Sequence, residues 1–99
     1  MEAKEIQKQL RLLESKSNYD VDVHNMVATL NVNDFIFYID GQQYIINGTI
    51  TREVTAYCPA TWDYPEDYEY SDVIEFAGEL GIYDKDGEEI YYDELNIKL

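Results

Sequence analysis

The chain reads as α+β, mainly β: an antiparallel, meander-like sheet of about five or six strands with one N-terminal helix. Three observations predict this. Only Glu2–Lys16 repeats its apolar residues at helical spacing. From Tyr19 to Leu99 apolar and polar residues alternate with the period of a strand. The alternation is interrupted by Asp-Gly and other turn signals, never by a second helical stripe. With 99 residues there is room for one core only, so residues 1–99 form a single domain: a helix over 2–16 and a sheet over 19–99 with a loop at 58–70.

In the helix, Ala3, Ile6, Leu10 and Leu13 make one apolar stripe, and Ser15, Ser17 and Asn18 supply the stop. A helix this short is marginal in water, so its stripe is expected to dock on the sheet. Tyr19, Val21 and Val23 then face one way and Asp20, Asp22 and His24 the other. The phase flips at Met26, Ala28, Leu30 and Val32, which requires a turn or bulge near His24-Asn25. Asp34–Asp40 is apolar on both faces and reads as a central strand. Asp40-Gly41 is a type I′ hairpin signal, returning through Tyr44, Ile45 and Ile46. Asn47-Gly48 is either a second turn or a bulge within one long strand. The bulge is favoured, because the phase of Tyr44, Ile46, Ile50 and Val54 survives it. Ser71–Tyr83 is the clearest strand, with Ile74, Phe76, Leu80 and Ile82 on one side and Glu75 and Glu79 on the other. Asp84–Gly87 turns the chain into a last strand ending with Leu95, Ile97 and Leu99 on one face.

The net charge of −14 is unevenly placed. Residues 1–16 carry three acids against four bases, residues 17–52 four against one, and residues 53–99 fourteen against two. This balance argues against direct contact with nucleic acid or an anionic membrane and favours basic partners. Cys58 has no second cysteine to pair with, no signal peptide opens the chain, and no apolar run is long enough to span a bilayer. These features predict a soluble protein of a reducing cytoplasm, a folded monomer or homodimer.

The sequence predicts no enzyme. His24 is the only histidine, its neighbours alternate as the outward face of a strand does, and nothing around it or Cys58 resembles a nucleophile–base pair. One His and one Cys do not make a zinc site. The Asp84-Lys85-Asp86-Gly87 run suggests a calcium loop, but alignment on Gly87 puts Ile82 at the first ligand position. No cofactor, catalytic residue or metal ligand is therefore expected.

What remains is a surface. Cys58–Asp72 gathers Trp62, Tyr64, Tyr68 and Tyr70 with Asp63, Glu66, Asp67, Glu69 and Asp72, with Pro59 and Pro65 restricting its freedom and no basic residue present. Glu75 and Glu79 continue the acidic face downstream. Acids at every second residue of a strand recur at about 6.6–6.8 Å, so such a face offers a rigid, phosphate-like array. The fourteen net charges equal the phosphates of roughly 24 Å of duplex, about seven base pairs. Those seven acids are the expected phosphate surrogates, and the four aromatics the contact anchors.

Tyr57–Val73, "YCPATWDYPEDYEYSDV", resembles a stretch of small uncharacterised bacteriophage proteins, in which a strand runs into a Pro-Ala-Thr and Pro-Glu loop and returns through a Val-led strand. The likeness covers this segment alone and carries no catalytic residue. It implies phage origin and a hairpin around the loop. By type, small size and acidity also look like phage anti-defence inhibitors, the anti-CRISPR and anti-restriction proteins that mimic DNA. The resulting expectation is a non-enzymatic inhibitor acting in the host cytoplasm as a DNA or RNA mimic. Its partner would be a basic host nucleic-acid-binding protein or defence complex. The alternative is a phage structural or assembly interaction module.

Overall fold

The computed structural model describes residues 3–99. Met1 and Glu2, the latter assigned to the helix by the sequence, lie outside the described residues, as does the side chain of Ala3. Helix α1 (Ala3–Lys16) is followed by β1 (Asp20–Asp22), β2 (Val27–Ile39), β3 (Gln42–Cys58), β4 (Asp67–Tyr83) and β5 (Glu89–Lys98). The five strands form one antiparallel meander in the order β1-β2-β3-β4-β5, with β3 in the centre. No helix among the described residues is long and apolar enough to cross a membrane.

The helix buries Ile6 and Leu10 completely against Val32, Phe37, Tyr44, Ile46, Ile50, Phe76, Leu80, Ile82 and Leu95. Its C-terminus is closed as its serines suggested: the Ser17 hydroxyl donates to the Leu13 carbonyl at 2.8 Å and the Ser17 amide to the Glu14 carbonyl at 3.3 Å. Gln7 Nε2 donates to the Lys98 carbonyl at 3.0 Å, tying the helix to the end of β5.

Turn chemistry sets the register. The Asp22 carboxylate accepts the amides of His24 and Asn25 and the Asn25 side chain, and Met26 takes φ 54° to complete the phase change expected there. These hydrogen bonds, that from the Asn25 side chain foremost, hold the Asp22 carboxyl below its ordinary pKa. Asp40 and Gly41 have φ of 51° and 81°, the two positive values a type I′ turn demands. In the β4–β5 turn Asp84 Oδ1 accepts the amides of Asp86 and Glu88, both at 2.9 Å. That carboxylate closes the hairpin.

Three expectations are corrected. Asn47-Gly48 is neither turn nor bulge: β3 passes straight through it, with Asn47 opposite Glu79 and Gly48 opposite Gly78. The bulge lies in the partner strand β2, between Val32 and Phe35, where Asp34 has φ 49° and donates its amide to Asn47 Oδ1 at 2.7 Å. Gly48 is required for a different reason. A Cβ there would stand 2.8 Å from Phe76 Cζ and 2.4 Å from the Ala77 carbonyl oxygen, so the facing Gly48–Gly78 pair makes the slot for the Phe76 ring.

Asp34–Asp40 is not a central strand buried on both faces. Past the bulge, Phe35 and Phe37 point to the core, while Ile36 is 46% and Tyr38 67% exposed. One helix covers one face of the sheet, and no described element covers the other. The loop at 58–70, finally, spans only residues 59–66, because β3 extends to Cys58 and β4 begins at Asp67.

Candidate functional site

The two longest strands make the site. β2 pairs with β3 only as far as Glu53, and β5 pairs with β4 only from Glu75 on. Beyond those limits β3 and β4 run on as a two-stranded arm. A 17-residue strand is about 55 Å long, which accounts for the 56 Å length of a molecule only 21 by 19 Å across.

A bare two-stranded ribbon is marginal in water, so this one needs side chains to stiffen it. Tyrosines do so. Tyr57 and Tyr68 are register partners with rings stacked 5.3 Å apart, Tyr68 leans on Tyr70 at 6.4 Å, and Tyr70 meets Tyr19 at 5.7 Å. At the root stands Arg52, the sole Lys or Arg between Lys16 and Lys85. Its guanidinium lies 5.3 Å from the Tyr70 ring centre, its Nε donates to the Ser71 carbonyl, and its Nη1 is 3.5 Å from Glu14 Oε1 on the helix. One side chain thus joins helix, body and both arm strands. The Tyr19 hydroxyl donates to the same Glu14 carboxylate at 3.0 Å. Burial first, and then that carboxylate, push the Tyr19 pKa up to about 12.

At the far end the chain reverses in a turn closed twice between Thr61 and Tyr64: the Thr61 amide donates to the Tyr64 carbonyl at 2.9 Å, and the Tyr64 amide to Thr61 Oγ1 at 3.2 Å. Trp62 and Asp63 are its apex. Trp62 is 94% and Tyr64 73% exposed. A free indole of that size on a turn with fixed backbone presents a large apolar contact with little left to order on binding.

The sequence-derived residues separate into three groups. Trp62, Tyr64, Asp63 and Glu66 lie on the tip and Asp67, Glu69 and Asp72 on the arm strand or at its root, all exposed. These seven share one projecting element. Glu75 and Glu79 are exposed on the body instead, the latter some 40 Å along the strand from Asp67. Glu75 faces Lys98 across the strands, and Glu79 accepts a hydrogen bond from the Tyr92 hydroxyl, which raises the Tyr92 pKa. They belong to a different surface. Tyr68 and Tyr70 form the last group and are corrected from loop anchors to strand residues: half-buried, their rings occupied by neighbours, they carry the arm.

Sequence reasoning passed over Arg52, whose signal was its isolation in a long acidic stretch. It also passed over the open sheet face, for which no local signal exists. His24 is exposed in the β1–β2 turn and Cys58 is an exposed free thiol at the end of β3. Among the described residues no group of three or more His, Cys, Asp or Glu is placed to hold a metal ion. Comparison with family models, curated proteins and solved structures gives no match for this chain.

Proposed function

We propose that this is a non-enzymatic binding protein whose β3–β4 arm inserts into the basic groove of a nucleic-acid-binding partner and blocks it as an acidic DNA or RNA mimic. The resemblance of Tyr57–Val73 to phage proteins supports a phage origin and, with it, a host defence complex in the host cytoplasm as the target. One observation carries the reading: a narrow arm, free of basic residues from Glu53 to Asp84, bears exposed carboxylates along its side and a fully presented Trp62 at its end. The carboxylates supply long-range attraction to a basic groove, and Trp62 supplies the desolvated contact that retains the complex. Within the arm the phosphate surrogates are Asp63, Glu66, Asp67, Glu69 and Asp72. Glu75 and Glu79 add to the field from the body.

The second reading, a phage structural or assembly module, draws on the same Trp62, because an indole on a projecting arm also suits an apolar socket on another protein. Salt separates the two. A mimic binds its target with steep salt dependence and is displaced by duplex DNA or RNA, whereas a socket complex is insensitive to both. Binding of the purified protein to a basic nucleic-acid-binding target, titrated with salt and with competing duplex, decides between them.

A further inference from the structure

We propose that the outward face of helix α1 is the docking site for the acidic β3–β4 arm of a second copy of this chain. Opposite the buried Ile6 and Leu10, successive turns of the helix present Lys4, Lys8 and Arg11 to solvent, with Leu12 44% exposed beside them. These four side chains line one shallow groove. Among the described residues the three bases have no ion-pair partner, whereas the helix acids are engaged. Glu5 accepts a hydrogen bond from Gln9 Nε2 at 3.0 Å, and Glu14 is held by Arg52 and Tyr19. The helix therefore shows a positive face in a chain of net charge −14.

The arm answers that face in charge, spacing and apolar content. Asp67 and Glu69 alternate with the stacked Tyr68 and Tyr70, so both carboxylates leave the same side of β4, and neither has an ion-pair partner. They recur at about 6.6–6.8 Å, against a rise of about 6 Å from Lys4 to Lys8 along the helix. The paired strands run about 17 Å past Glu53 before the turn, and α1 is about 21 Å long. At the end of the arm the free Trp62 finds an apolar counterpart in Leu12. Together these features select the occupant. A nucleic-acid duplex also meets the three bases, but it brings a phosphate charge every ~1.7 Å against the acids of the surrounding body. Its phosphate backbone offers Leu12 no apolar partner. The arm is a narrow projection that keeps the rest of its own copy's charge about 17 Å away, roughly twice the ~8 Å screening length at physiological salt.

The contact does not depend on the arm being a mimic and is read with this chain alone. Sedimentation velocity of the full chain over roughly a hundredfold range of concentration follows exchange between the 11.6 kDa monomer and species of twice that mass or more. Lys8→Glu with Arg11→Glu, or Asp67→Lys with Glu69→Lys, sets like charge against like and weakens association by about tenfold or more. All four substitutions in one chain exchange the signs of helix and arm at an unchanged net charge of −14, and association returns. It returns as well in an equimolar mixture of the two pair variants, which keeps the test open should the combined variant misfold. The four positions are exposed, so thermal melts are expected to match the parent's. A single 11.6 kDa species for the parent overturns the proposal, as does association that survives either pair of reversals or is not regained when they are combined. Duplex DNA bound by the parent and lost with Lys8→Glu and Arg11→Glu would assign the face to nucleic acid, and overturns it too.

Discussion

Body and arm are built from the same two strands but held by different forces. In the body β3 and β4 have strand neighbours on both sides and α1 above them, and Ile46, Ile50, Phe76 and Leu80 are essentially inaccessible. In the arm the same strands have only each other, and stacked tyrosines with one arginine do the work of a core. The body consequently tolerates little change in shape, while the arm tolerates any change that spares its ring stack. An element free of packing duties can devote its outward side chains to charge and contact, which is why the arm, and not the larger body, is the candidate binding element.

The largest effect is expected from crowding the glycine slot of the body. Gly78→Val pushes a branched side chain toward Asn47 O, 2.1 Å from where its Cβ would lie, and toward the Phe76 ring. A loss of about 3 kcal/mol or more, or failure to fold, is expected in urea unfolding. A comparable change on the tip, Thr61→Val, is expected to alter stability by less than about 1 kcal/mol.

Arg52→Ala tests the junction. It removes a hydrogen bond, a ring contact and an ion pair, none fully exposed, and is expected to cost about 1–2 kcal/mol. The diagnostic readout is local. Amide exchange at Tyr57, Tyr68 and Glu69 should accelerate while that of Ile46 and Leu80 holds, because the arm loosens without the body opening.

Alkali gives a smaller effect with a defined sign. The Tyr19 pKa is raised above 10.0 to about 12 in the fold, so the folded state holds that proton more tightly. The associated stability is fully present below pH 10 and is lost as pH rises through about 12. Tyr19→Phe, which removes the titrating hydroxyl, flattens that part of the stability profile measured by chemical unfolding across this window.

The smallest stability effect belongs to Trp62, at 94% the most exposed of the large apolar side chains. Trp62→Ala is expected to shift unfolding by no more than about 0.5 kcal/mol while speeding partner dissociation by roughly thirtyfold, about 2 kcal/mol of binding. Asp67→Lys with Glu69→Lys should instead slow association and flatten its salt dependence. Together the variants separate holding from steering.

Where a short-range rule governs, the sequence was legible. The stripe of Ile6, Leu10 and Leu13, the Asp40-Gly41 turn and the phase change before Met26 each follow from residues within a few positions of one another. Long-range facts were hidden. Alternation says which residues share a face but not whether anything covers it, so Ile36 and Tyr38 read as buried when they are exposed. The Gly48–Gly78 slot depends on a pairing across some thirty residues, leaving a slot glycine looking like a bulge. At 58–70 the prolines outweighed a period-two run, Asp67-Tyr68-Glu69-Tyr70, that already marked a strand. The acids of the site were readable as types and only the fold sorted them, five to the arm and its tip and two to the body.

Whether the arm carries binding is decided by a capture experiment. Host proteins are captured at low salt on the immobilised parent and on the folded Asp67→Lys/Glu69→Lys variant, with and without competing duplex DNA. The parent is expected to retain a basic nucleic-acid-binding complex that duplex and salt each release, and the variant to fail to capture it. Equal capture by the variant, or a complex indifferent to duplex, would show that the arm's carboxylates do not carry binding.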